Sequence, residues 1–201
     1  MNVVFFGGSF DPPHVAHVLC VSYALAVGDF ERALVVPVFE HAFGKSLRDF
    51  EHRARLCELA FEGDPRVEVS RIEAELPRPN YTLRTLEHLS AVRPELSLRL
   101  LMGSDVIADT SKWFGFDQVQ KLAPPFVVPR AGAAGSGSAS GFGLLPALSS
   151  TEVRELLAER AEPAAREQLS RVLPRRVLAY IDEHGLYLRG EGAVARGRAG
   201  K

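Results

Sequence analysis

Five short runs of continuous apolar and β-branched residues, Asn2–Phe6, Ala33–Val38, Val67–Ser70, Leu98–Met102 and Phe126–Val128, alternate along this chain with stretches of helical periodicity. Apart from the alternation in Val67–Ser70, they read as too continuously apolar for one-sided exposure, so the sheet must be covered on both faces. A parallel sheet wrapped by helices on both sides meets that demand. The pattern predicts an α/β fold with a doubly wound parallel sheet, and 201 residues are few enough for one core. One domain over residues 1–189 is expected.

The helical stretches carry ordinary punctuation. His14–Val27 is closed by Gly28, and Ser46–Phe61 places Leu47, Phe50, Ala54, Cys57 and Phe61 on one face, with Ser46 and Asp49 resembling a capping box. Asn80 is expected to N-cap a helix carrying Leu83, Leu86 and Leu89, and a further helix is expected over Lys112–Leu122. Leu144–Leu148 reads as a sixth strand, followed by helices starting at Thr151 and spanning Arg175–Glu183, the latter stopped by Gly185. Residues 131–143, AGAAGSGSASGFG, hold too little apolar surface to order themselves and read as a flexible loop; residues 190–201 read as a disordered tail.

Charge excludes several classes of partner. With 24 basic and 25 acidic residues and a formal charge of −1, no global field draws the chain to nucleic acid or to an anionic membrane, so a bound anion must be held locally. Cys20 and Cys57 fall at apolar helix positions without metal-ligand spacing and are expected as buried free thiols. No apolar stretch approaches the ~18 residues of a membrane span and no basic segment precedes the first apolar run, so the expected setting is cytoplasmic.

The chemistry concentrates in GGSFDPPHVAH, residues 7–17. A parallel strand ending in Gly7-Gly8 and leading into a helix gathers backbone N–H groups and the positive helix end into one anion site. Asp11 is a candidate cap, Pro12 and Pro13 pre-set the helix entry, and His14 and His17, three residues apart, lie on one helix face beside the anion. Neither a P-loop nor a dinucleotide fingerprint with three glycines is present.

This segment resembles the G-x-F-D-P-x-H-x-G-H signature of the nucleotidyltransferase superfamily, and LSSTEVR, residues 148–154, resembles its I-S-S-T-x-[IV]-R. The resemblance narrows to the bacterial nicotinate-nucleotide adenylyltransferases. NYTLRTL at 80–86, GSD at 103–105, Lys112-Trp113, FVVPRAG at 126–132 and VLAYIDEHGLY at 177–187 are similar to that family's landmarks in the same order. It implies a Rossmann-like fold and an enzyme that joins ATP to nicotinate mononucleotide, giving nicotinate adenine dinucleotide and pyrophosphate, with Mg²⁺ carried in on the ATP and no metal site of the protein's own. Small molecules are then its partners, and homo-oligomerisation is left open. Other acceptors, nicotinamide mononucleotide or phosphopantetheine, and a non-catalytic nucleotide-binding module, are the competing readings.

Carried over residue by residue, the resemblance assigns ATP to Gly8, Ser9, Phe10, His14, His17, Gly103, Asp105, Ser150, Thr151 and Arg154. Of these His14, His17 and Arg154 are the expected catalytic groups. It assigns the mononucleotide to Lys45, Asn80, Tyr81, Thr82, Trp113 and Arg130. N–H donors at the start of the Asn80–Thr82 helix suit a carboxylate better than a carboxamide, and Trp113 is placed to stack on a pyridine ring. Two departures stand out. Ala16 occupies the position of the glycine between the histidines, and VFEHAFGK, residues 38–45, replaces the family's P-P-H-[KR] segment, leaving Lys45 and His41 as its phosphate-binding candidates.

Overall fold

In the computed structural model, which describes residues 1–41, 44–130 and 145–188, the five apolar runs form one parallel sheet. Its strands are β1 (Asn2–Gly8), β2 (Arg32–Pro37), β3 (Val67–Val69), β4 (Ser97–Gly103) and β5 (Pro125–Val128), in the order β3-β2-β1-β4-β5. The expected loop at 131–143 and tail at 190–201 lie outside the described residues.

Successive residues of β1 serve opposite faces, as strand geometry requires. Val4 and Phe6 pack on α1 (Val15–Val27) and on Cys57 and Phe61 of α2 (Phe50–Phe61), while Val3 and Phe5 pack on α3 (Thr82–Val92) and α4 (Phe116–Leu122). This is the doubly wound arrangement. A third apolar cluster joins Leu56 of α2 to α5 (Ser150–Ala158), α6 (Pro163–Val172) and α7 (Arg175–Glu183), which cover the outer side of α2. Cys20 and Cys57 are buried and free.

Several boundaries differ from expectation for identifiable reasons. The second helix starts at Phe50, and its N-cap is Asp49, whose carboxylate accepts from Glu51 N, so Ser46 plays no capping role. The Lys112–Leu122 helix is divided: a 3₁₀ helix spans Ser104–Lys112, then Gly115 takes φ 63° and the chain restarts as α4. Glycine tolerates that left-handed turn. Of the sixth strand expected over Leu144–Leu148, the described residues show a parallel bridge between Leu145 and Arg130. The helix α6 had not been anticipated.

The register places the site. β1 pairs with β4 only as far as Phe5↔Leu100; beyond it, Phe6–Gly8 stays with β2 and Leu101–Gly103 with β5. The two central strands therefore part at their carboxyl ends. That is the switch point of the sheet, where open α/β folds bind ligands.

Candidate active site at the switch point

The gap between β1 and β4 is a cleft of about 190 Å³, lined among others by Gly8, Phe10, His17, Gly103, Trp113 and Arg130. The methyl of Ala16 is buried in its wall. Neither Gly7 nor Gly8 takes a positive φ; the left-handed residue of the turn is Phe10, at φ 46°. What glycine supplies at position 8 is space, since a Cβ there would lie 3.1 Å from the Phe10 ring. Strain of this kind, roughly 1–3 kcal/mol, persists only where surrounding contacts over-determine it. Here Phe10 is 1% exposed, and its ring meets Phe6 and His17 edge-on at 5.3 and 5.0 Å.

Five contacts hold the turn from four directions. Arg53 Nη1 donates to Ser9 O at 2.9 Å, Tyr187 Oη to Asp11 Oδ1 at 2.7 Å, and Arg48 N to Asp11 Oδ2 at 3.4 Å. From α5, Arg154 Nη1 donates to Asp11 O at 2.7 Å and Ser150 Oγ to Pro12 O at 3.0 Å. Asp11 is thus the hub of the turn, while the N-cap of α1 is His14. Thr151 accepts from Arg154 Nη2 at 3.1 Å, so Ser150, Thr151 and Arg154 stand directly beside residues 9–12.

His14 and His17 stack with ring centroids 3.8 Å apart. His14 N donates to His17 Nδ1 at 3.1 Å, which makes Nδ1 the unprotonated nitrogen and leaves Nε2–H as the donor. Burial lowers the His14 pKa to about 4, with help from the positive charge of Arg130. Burial, then His14 and Arg130, hold His17 well below its usual range. Both imidazoles are neutral at pH 7, and His14 Nδ1 has no partner among the described residues.

The folded pKa of His14 lies below the unfolded one, so its contribution is complete above about pH 6.5 and is lost as pH falls towards about 4; the displacement corresponds to about 3 kcal/mol. Urea unfolding of wild type and His14→Asn should show the stability difference between them shrinking by about that amount across this window. A pH-independent difference would contradict the assignment.

Across the cleft, Arg130 Nη1 pairs with Asp105 Oδ2 at 2.9 Å and Nη2 donates to Leu148 O at 2.7 Å. A Cβ on Gly103 would lie 2.3 Å from Asp105 Oδ1 and 2.6 Å from Arg130 Cδ, so only glycine lets this pair sit against the end of β4. Arg130 therefore spans the end of β4 and the approach to α5.

On the third side, Asn80 is not the cap of α3. It is buried and donates Nδ2 to Glu73 O at 2.9 Å, while the N-cap is Tyr81, without a side-chain cap bond. The first-turn N–H groups of α3 are accordingly uncapped, and Thr82 lines the cleft. Trp113 lies in the break before α4, edge-on to Phe116 at 5.8 Å; it packs on the core with one side and lines the cleft with the other. Tyr81 stacks on Phe114 at 4.7 Å. Lys45 is exposed and does not line the cleft, although its charge reaches His41.

Sequence reasoning assigned no role to Arg53, Glu73, Thr85 or Tyr187, although Thr85 and Tyr187 fall within the segments 80–86 and 177–187 that carry the resemblance. Arg53 had a signal: it falls within the apolar stripe of Phe50, Ala54, Cys57 and Phe61, where an arginine is out of place unless it is bonded. Glu73 had none.

The Cytidylyltransferase-like family model matches residues 5–156. A protein of Anaeromyxobacter sp. (strain K) named "Probable nicotinate-nucleotide adenylyltransferase" is 42% identical over 189 residues, covering 92% of this chain and 96% of that one. One of the same name from Myxococcus xanthus is 35% identical over 93% and 95%. Among solved structures, the Plasmodium falciparum nicotinic acid mononucleotide adenylyltransferase complexed with NaAD superposes with TM-score 0.75 at 18% identity, over 92% of this chain and 97% of that one. At that identity the structural likeness shows the fold. The fold, the glycine turn and the sequence relatives agree: this chain is a nucleotidyltransferase of the cytidylyltransferase-like family, among the nicotinate-nucleotide adenylyltransferases.

Proposed function

We propose that the protein transfers the adenylyl group of ATP to nicotinate mononucleotide, releasing pyrophosphate and forming nicotinate adenine dinucleotide. The observation that carries this reading is the tautomer of His17, whose neutral Nε2–H is presented at the switch-point cleft beside the strand-to-helix turn. A neutral donor fixed in place before the substrate arrives stabilises charge that develops on a phosphoryl group without having to reorganise. His14 belongs to the same stack, and Arg154 with Ser150 and Thr151 offers donors to the departing pyrophosphate.

The acceptor's 5′-phosphate has a second pKa of about 6 and is largely ionised at neutral pH, so attack on the α-phosphorus needs no general base. Positioning the two substrates in line is the main task. Mg²⁺ is part of the incoming nucleotide in this reading, and the described residues contain no group of three or more His, Cys, Asp or Glu side chains suited to hold a metal. The uncapped first turn of α3 offers N–H donors to the nicotinate carboxylate, with Trp113 beside it for the ring.

Pyrophosphate release from ATP is the direct test, run in parallel with nicotinate mononucleotide, nicotinamide mononucleotide and phosphopantetheine. Turnover with nicotinate mononucleotide about ten-fold or more above the others is expected, since a carboxamide leaves one donor facing another. Preference for either alternative acceptor would overturn the substrate assignment. No turnover with any would overturn the activity.

A further inference from the structure

Glu73 is 3% exposed and has no function in the reading above. Its carboxylate lies between two segments assigned to the acceptor. One oxygen, Oε2, accepts from Phe39 N at 3.1 Å; the other, Oε1, accepts from Thr85 Oγ1 at 2.9 Å, one turn into α3. Its own carbonyl accepts from Asn80 Nδ2. The other side of Phe39 is gripped as firmly: Arg53, 1% exposed, donates to Phe39 O at 3.3 Å and to Val38 O at 2.8 Å. Two buried groups of opposite charge, from different elements, thus hold the N–H and the C=O of a single residue. That residue is the second of the segment that departs from the family pattern, residues 38–45.

A buried carboxylate without a directly bonded cation is expensive to keep, and an apolar side chain would pack there at lower cost. Its use must lie in the geometry it dictates. We propose that Glu73 is a positioning residue for the mononucleotide, fixing the segment after β2 against the first turn of α3 so that both halves of the acceptor site keep one spacing. This rests on the functional reading above. Arg53 reaches Ser9 O as well, whereas the side-chain bonds of Glu73 among the described residues go to Phe39 and Thr85, so its effect is confined to the acceptor.

The test is steady-state kinetics of wild type, Glu73→Ala, Glu73→Gln and Thr85→Val, with amide hydrogen exchange at Phe39 measured on the ligand-free proteins. Glu73→Ala should raise KM for the mononucleotide about ten-fold or more, leave KM for ATP within about two-fold, and speed exchange at Phe39. Glu73→Gln should return all three close to wild type. Its carbonyl can accept from Phe39 N–H, and its amide can donate to Thr85 Oγ1, whose hydroxyl keeps Tyr81 O, 3.4 Å away, as an acceptor. Thr85→Val, fully buried and nearly isosteric, removes one of the two donors and should raise the mononucleotide KM alone; it decides the matter if Glu73→Ala does not fold. Equal rises in both KM values, or an unchanged mononucleotide KM in an active enzyme, would overturn the proposal by itself. Absence of wild-type turnover would instead overturn the functional reading on which it rests.

Discussion

Replacing His17 by alanine should lower kcat by roughly 10²–10³ with KM for ATP little changed, the effect expected when one preorganised donor to a developing charge is lost. The fold should survive. His17 Nδ1 accepts the His14 N–H at the start of α1, so the variant also forfeits a capping contact, worth about 1 kcal/mol. That is small against the stability of a domain this size. Thermal unfolding of the same preparation separates the two effects: a slow enzyme with a near-normal Tm is the expected result. Near-normal turnover would remove His17 from the transition state and leave the glycine turn a binding device only.

The largest stability effect should come from Arg53→Met. Arg53 donates to four carbonyls, those of Ser9, Val38, Phe39 and Arg48, at 2.7–3.3 Å. Burial pulls its pKa down and Asp11 pushes it back up, so the charge is held inside largely by these carbonyl dipoles and by Asp11. Methionine fills much of the volume but leaves these four part-buried carbonyls without their donor. About 3–5 kcal/mol of lost stability is expected, read from urea midpoints. Lysine restores the charge without the planar fork and should recover only part of the loss. A Met variant within about 1 kcal/mol of wild type would mean that the turn is held by Asp11 and α5 alone.

Much of the architecture was legible because its signals are local. Continuous apolar runs imply strands covered on both faces, and Val3 to Phe6 do serve both cores. His14 and His17 do meet, stacked at 3.8 Å, but as the N-cap and the third residue of α1 rather than on one helix face, because His14 keeps an extended backbone. The misreadings share one cause. Asn80 has the chemistry of a cap, but its amide is drawn to Glu73 O; the Lys112–Leu122 periodicity is broken by Gly115. In each case a tertiary partner or a single backbone constraint outweighed a local preference.

The amino-acid sequence alone determined the class of fold, the strand-to-helix turn that carries the histidines, and the pairing of that turn with residues 148–154 in one reaction class. It could not show how the two meet. Ser150 reaches Pro12 across 138 residues of sequence and Arg154 reaches Asp11 across 143, and hydrogen bonds over such separations leave no periodic trace in the chain. Nor could it show that β1 and β4 part after Phe5 and Leu100, that Phe10 rather than a glycine takes the left-handed position, or which nitrogen of His17 keeps its proton. Those were decided by packing, because burial sets the charge state of an imidazole and its neighbours in space choose the tautomer.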